Sequence, residues 1–355
     1  MIRHVSAPLK NVCALILLSA CATPQAVRTP HVSYVALDTG GVSALVTNAF
    51  GGRVATFGVE DYPSVVKFDM DLAAADPRPP VDPAHAAAPY MGATVWAGPQ
   101  SDWWNHQSDH PELAGQGWPP DPYVSLVEMA GEMAGETDGN RVTLTGPESP
   151  VSGLQLRKEF ALSDLGCLTV TAEATNIRDE PVSWDLWNVI RVQPDAWVFA
   201  PVGGDEDVRY TPPNRPEFQP PRLSVGDGLA YADPSLAGVT APRREGKAFL
   251  TPSEGWMAGF VDGQVFLVTF DLLPESAIHP EQGQVEFYFS QAPGDPASSV
   301  IEMETHAAYR TLAPGETMTA TQYWSVAPYD GALDKASLVA FVRHRLLATD
   351  ACGTH

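Results

Sequence analysis

The chain is cut into short apolar runs by turn-forming residues. With 33 prolines and 29 glycines in 355 residues, few stretches are long enough to propagate a helix, and a helical bundle is excluded. Runs rich in β-branched and aromatic residues recur at Val32–Leu37, Val42–Thr47, Arg53–Gly58, Ala93–Ala97, Val124–Met129, Arg141–Thr145, Leu154–Ala161 and Leu168–Asn176. The series continues at Val182–Val192, Met257–Val261, Val265–Asp271, Val285–Ser290, Val300–Thr305 and Thr317–Val326. Helical crossover units between these strands are missing, so the expected fold is all-β, a large sandwich of mostly antiparallel strands. One helix is expected, from Asp334 to Ala348, where Leu338, Val342 and Leu346 recur at four-residue steps. Two irregular segments, 73–90 and 203–221, are long enough to suggest functional loops.

The amino terminus carries Arg3 and Lys10, then the apolar run Val12 to Leu18, then Ser19-Ala20-Cys21. That run is far below the ~20 residues a bilayer crossing needs, so it reads as a secretory leader. Leu18-Ser19-Ala20-Cys21 resembles a bacterial lipobox, in which the Cys21 thiol takes the lipid. Ala22, not aspartate, follows the cysteine, which by resemblance to Gram-negative lipoproteins directs the chain to the outer membrane. The expected organisation is a leader over 1–20, a tether over 21–31, a β-body over 32–330, and a helix with tail over 331–355.

The formal net charge is -22, and removing a leader that contains Arg3 and Lys10 but no acid makes the body more negative still. Such a body repels phosphate backbones and anionic lipid, so nucleic acid is excluded as a partner and membrane attachment falls to the lipid. Cys13 leaves with the leader and Cys21 is assigned to the lipid. Cys167 and Cys352 remain, to pair in an oxidising compartment or to stay free. No zinc-type cysteine or histidine spacing is present. His106 and His110 are four apart, but Pro111 and polar neighbours place them on a loop, so no metal site and no cofactor are expected.

The most unusual composition is "VWAGPQSDWWNHQ", Val95 to Gln107, followed by "GQGWPPDPY", Gly115 to Tyr123. Trp96, Trp103, Trp104 and Trp118 fall there beside Gln100, His106 and Asp121. Indole faces suit the C–H face of a sugar ring, and amide and carboxylate groups suit its hydroxyls. The same residues would equally serve as aromatic plugs over one end of a sandwich. In "WDLWNVIRVQ", Trp184 to Gln193, strand alternation puts Asp185, Trp187 and Arg191 on one face, as a cleft wall or a surface ion pair. In "VIEMETH", Val300 to His306, Glu302, Glu304 and His306 share a face, either as a charge-guarded edge strand or as the floor of a site.

Several segments resemble the galactose mutarotase-like (aldose 1-epimerase-like) superfamily. "NAFGGRVATFGVEDYPSV" (Asn48 to Val65) is similar to its opening hairpin, "ATNIRDEPVSWDLWNVI" to its central strand, and "LAPGE" (Leu312 to Glu316) to its late turn. Trp96-Ala97-Gly98-Pro99-Gln100 with Trp118-Pro119-Pro120-Asp121 is closer to the DUF4380 proteins, an uncharacterised bacterial branch. The resemblance implies a supersandwich with a sugar bound across one concave face. It also implies an isomerase chemistry in which a strand glutamate takes the anomeric proton and a histidine protonates the ring oxygen. Glu304-Thr305-His306 resembles the family's Glu-Thr-Gln, whereas the histidine's place falls on or beside Trp187, with Asn188 next. The resulting expectation is a lipid-anchored envelope protein that binds a carbohydrate, or a non-catalytic envelope interaction protein built on the same fold. Glu304, Glu302 and His306 are the candidate acid/base groups. Trp96, Gln100, Trp104, His106, Trp118, Trp187 and Arg191 are the candidate sugar contacts. Glu304 is expected at the cleft floor near Trp187 and Arg191, with burial raising one carboxyl of the Glu302/Glu304 pair.

Overall fold

The computed structural model describes residues 26–28, 32–86, 90–131, 140–213, 215–234, 243–292, 294–349 and 352. The leader and Cys21 lie outside them. Two antiparallel sheets make up the body. The first runs Ala26–Arg28, Ser33–Asp38, Val42–Thr47, Arg53–Val59, Ala93–Gly98, Val182–Val192, Val300–His306, Val285–Gln291, Arg244–Leu250 and Val208–Tyr210, with Arg310–Leu312 also paired to Val182–Val192. The second runs Ser224–Gly226, Leu229–Ala232, Trp197–Pro201, Trp256–Val261, Gln264–Phe270, Thr317–Pro328, Leu168–Asn176, Leu154–Leu162, Arg141–Glu148 and Ala130–Gly131. Residues 26–28, read above as tether, extend the edge of the first sheet.

Burial along the strands shows what covers each face. In Leu168–Asn176, Leu168, Val170, Ala172 and Ala174 point into the core while the alternate threonines and Glu173 are partly wet. Trp256–Val261 and Gln264–Phe270 are instead buried at every position. Their outer face packs under the Lys335–Thr349 helix, whose Leu338 and Val342 join Trp197, Phe199 and Phe260 in one cluster. The helix therefore falls where its four-residue periodicity predicts. A disulfide between Cys167 and Cys352, Cα atoms 5.7 Å apart, fastens the tail to the start of the Leu168 strand.

Some expected elements differ. Val124–Met129, expected as a strand, begins inside a short helix over Pro122–Ser125, because the Asp121 carboxylate accepts from the Tyr123 N–H and Pro122 opens the turn. The irregular segment 73–90 begins within a helix over Met70–Ala75, capped by Asp69. Gly51 and Gly52 turn with positive φ, and a Cβ on Gly51 would stand 2.0 Å from the Val124 carbonyl oxygen. The Gly51 and Gly52 carbonyls accept hydrogen bonds from the buried Lys158 ammonium.

Candidate functional site

Six adjacent strands of the first sheet floor a cleft of about 730 Å³. Ala93–Gly98 contributes Trp96, and Val182–Val192 contributes Trp187. Val300–His306 supplies Glu302 and His306, and Val285–Gln291 supplies Glu286 and Tyr288. Lys247 and Phe249 come from Arg244–Leu250, and Arg209 and Tyr210 from the edge strand Val208–Tyr210. Register places these side chains in rows across the sheet. Trp187 is directly opposite both Trp96 and His306, and Glu304 is directly opposite Glu286.

Two carboxylates facing each other across neighbouring strands repel unless a cation joins them. Lys247 Nζ does so, 2.7 Å from Glu286 Oε2 and 2.7 Å from Glu304 Oε2. The same ammonium lies 4.2 Å from the centroid of the Trp187 ring, a cation–π contact. Trp187 Nε1 donates to Glu304 Oε2 at 2.6 Å. His306 stacks on Trp187 with centroids 5.2 Å apart, places Nδ1 3.2 Å from Asp185 Oδ1, and holds Nε2 3.3 Å from Glu286 Oε1 without hydrogen-bond alignment. Arg191 pairs with Glu302 at 2.7 Å and covers the Trp96 face at 5.2 Å. Glu286, Glu304 and His306 bring ligand atoms within 4.8 Å of one another, a grouping that could hold a cation. The Lys247 ammonium is the cation that lies against its two carboxylates.

Environment separates the two acids. Burial raises the Glu304 carboxyl, Lys247 offsets part of the rise, and the charges of Glu286 and Glu302 add to it, leaving it well above the ordinary carboxylate range. Burial also opposes the Glu286 charge, but Lys247 and His306 outweigh it and hold that carboxyl well below its ordinary range. Burial alone would lower His306. Glu286 and Asp185 overcome it and raise the imidazole to about 10. Lys247 is likewise raised, because Glu286 and Glu304 outweigh its own burial. Of the two acids Glu286 is therefore the more readily ionised and Glu304 the less, and both lie against the cationic Lys247.

The structure brings together only part of the expected constellation. Trp96, Gln100, Trp118, Trp187, Glu302 and His306 line the cleft, and Arg191 supports Trp96 and Glu302 from beside it. Glu304 is fully buried under Trp187 and Lys247 and does not line the cleft. Trp104 is fully buried too, with Nε1 donating to the Pro119 carbonyl, so it supports the loop and does not contact the cleft. His106 packs edge-on against Trp184, away from the cleft. Trp103 lies beneath, stacked on Trp187 at 5.7 Å with its Nε1 donating to the Ala97 carbonyl. Sequence reasoning missed Lys247, Glu286, Tyr288, Phe249, Arg209 and Tyr210. In Arg244–Leu250, Gly246, Ala248 and Leu250 are buried on one face while Lys247 and Phe249 are half-buried on the other, where a lysine is held by paired acids.

The chain spans 48% of a TPR-domain containing protein from Parabacteroides distasonis ATCC 8503, with 86% of this chain aligned at 17% identity and a TM-score of 0.50. A proposed aldose 1-epimerase from Escherichia coli K12 aligns over 84% of this chain and 99% of its own, at 14% identity and a TM-score of 0.55. A galactose mutarotase-like protein from Lactobacillus casei ATCC 334 aligns over 83% and 100%, at 10% identity and a TM-score of 0.54. Identities this low carry the fold alone, and the fold is galactose mutarotase-like. No curated protein matches by sequence. A domain of unknown function, DUF4380, matches residues 32–327, and the chain belongs to that family.

Proposed function

We propose that this chain binds a carbohydrate in the tryptophan-floored cleft, and that binding, not mutarotation through Glu304, is its activity. One observation carries the reading. Trp187 stands at or beside the place where the family resemblance puts the catalytic histidine, and with Lys247 it covers Glu304 while itself forming the cleft floor. A general base must be within hydrogen-bond reach of the proton it takes, and a carboxyl covered by Trp187 and Lys247 does not meet that requirement. What faces the cleft is suited to holding a sugar: indole surface from Trp96 and Trp187, the Lys247 ammonium, and Glu302 as an acceptor. The mutarotase-like names of the structural neighbours support a saccharide ligand.

Attachment through a lipid on Cys21, at the outer membrane and facing the periplasm, completes the proposal. The Cys167–Cys352 disulfide supports an oxidising compartment. Incorporation of radiolabelled palmitate, lost in Cys21→Ser, tests the anchor. Tryptophan fluorescence titrated with neutral and acidic sugars, beside polarimetry of galactose and glucose anomers, tests the activity. The expected result is a saturable fluorescence change with anomer interconversion no faster than in buffer. Interconversion that Glu304→Gln abolishes would overturn the binding-only reading, and no response to any sugar would overturn both parts.

A further inference from the structure

Two large side chains at the cleft break the burial pattern of its other aromatic residues. Trp96 and Trp187 on the floor are 7% and 4% exposed, whereas Trp118 and Tyr210, which line the same cleft, are 50% and 42% exposed. They stand on opposite sides of the floor. Trp118 belongs to the loop that follows the Ala93–Gly98 strand and leans toward Trp103, with ring centroids 6.2 Å apart. Tyr210 ends the edge strand Val208–Tyr210, held by pairing of Tyr210 with Ala248 and by a hydroxyl that accepts from the Leu223 N–H at 3.1 Å. Between Ala93–Gly98 and that edge strand lie the strands carrying Trp187, Glu302, Glu286 and Lys247. Five interstrand steps make a span on the order of 24 Å along the hydrogen-bonding direction.

A single pyranose ring covers only part of such a floor, and a ring seated over Trp187 and Lys247 leaves both outer aromatic residues uncovered. Exposed aromatic rings in line with a cleft are the groups that continue stacking beyond a central ring. Charge along the floor is mixed, with Lys247 and Arg209 set among Glu286, Glu302 and Glu281. It therefore offers hydrogen-bonding partners along the whole span and no single-sign pocket for one charged monosaccharide.

We propose that the ligand is an oligosaccharide chain laid across the strands, with its central ring over Trp187 and its outer rings on Trp118 and Tyr210. This rests on the carbohydrate-binding reading above and adds the ligand's length and direction. The probe is a glycan array of neutral and uronate-containing chains from monosaccharide to hexasaccharide, followed by calorimetry on a graded N-acetylglucosamine or galacturonate series, whichever responds. Affinity is expected to rise with each of the first added rings, by between about twofold and tenfold per aromatic contact. Trp118→Ala and Tyr210→Ala, both at exposed positions, are each expected to reduce the trimer-to-monomer affinity ratio by a similar factor. Monomer and trimer bound equally tightly, or variants that weaken both in equal proportion, would overturn the oligosaccharide assignment while leaving sugar binding intact. An array with no bound glycan of any length would overturn both.

Discussion

Lys247 Nζ sits 2.7 Å from Glu304 Oε2 and covers the acid that the family resemblance marks for catalysis. Glu286 shares the same ammonium from the opposite strand at 2.7 Å. Removing one member of a buried ion pair leaves an uncompensated charge, so Lys247→Met should lower unfolding free energy by about 3–5 kcal/mol. Urea denaturation checks this. Adding Glu286→Gln should recover part of the loss, because the stranded charge is then gone, and strict additivity of the two changes would contradict the bridge.

His306 makes stability fall as pH rises. Its folded value of about 10 exceeds the ordinary 6.5, so between these limits the native state binds the extra proton. The stabilisation is complete below pH 6.5 and is lost as pH climbs through 10, with a slope of up to about 1.4 kcal/mol per pH unit. His306→Gln should remove that contribution when urea midpoints are compared at pH 6, 8 and 10. A variant whose profile parallels wild type would show that Glu286 and Asp185 do not hold the imidazole in its protonated form.

Trp104 and His106 separate support from contact. Trp104 fills core volume and satisfies the Pro119 carbonyl, so Trp104→Ala should cost about 3–5 kcal/mol of stability by the same denaturation assay. His106 is exposed and touches only the edge of Trp184 among the described ring contacts, so His106→Ala should cost no more than about 1 kcal/mol. Its sugar titration should overlay wild type. A clear loss of affinity in His106→Ala would return that residue to the cleft.

Period-two patterns made the long strands legible. Val42–Thr47, Leu168–Asn176 and Val182–Val192 have the expected limits because β-branched and apolar residues alternate or run unbroken between turns. Trp197–Pro201, Arg244–Leu250 and Val208–Tyr210 were not legible. They are short, or carry Gly246 and charged side chains, and their strand state comes from pairing with neighbours. Lys247 and Arg209 were missed with them. Glu302, Glu304 and His306 could be placed on one face from the sequence. That Glu304 is covered while Glu302 and His306 line the cleft depends on Trp187 and Lys247 from other strands, which no local pattern encodes.

Lys158 makes the opposite pH contribution to His306, and the two should nearly conceal each other. In Leu154–Leu162 it occupies the inward phase with Leu156 and Phe160, and its Nζ donates to the Gly51 and Gly52 carbonyls at 2.7 and 3.0 Å. No carboxylate pairs with it among the described residues. Burial, with a further push from Arg53, lowers the amine from 10.5 to about 7. Below pH 7 both folded and unfolded chains hold the proton, and the cost of burying the charge is paid in full. Between pH 7 and 10.5 the unfolded chain binds more protons, so this contribution makes stability rise with pH. His306 works against it across most of that range. Wild type should therefore show a shallow profile between pH 7 and 10, Lys158→Met a falling one, and His306→Gln a rising one. Urea midpoints for the three proteins at closely spaced pH values check the signs. If Lys158→Met ran parallel to wild type, the buried amine would have the same protonation in both states over that range, and the opposed pair would not exist.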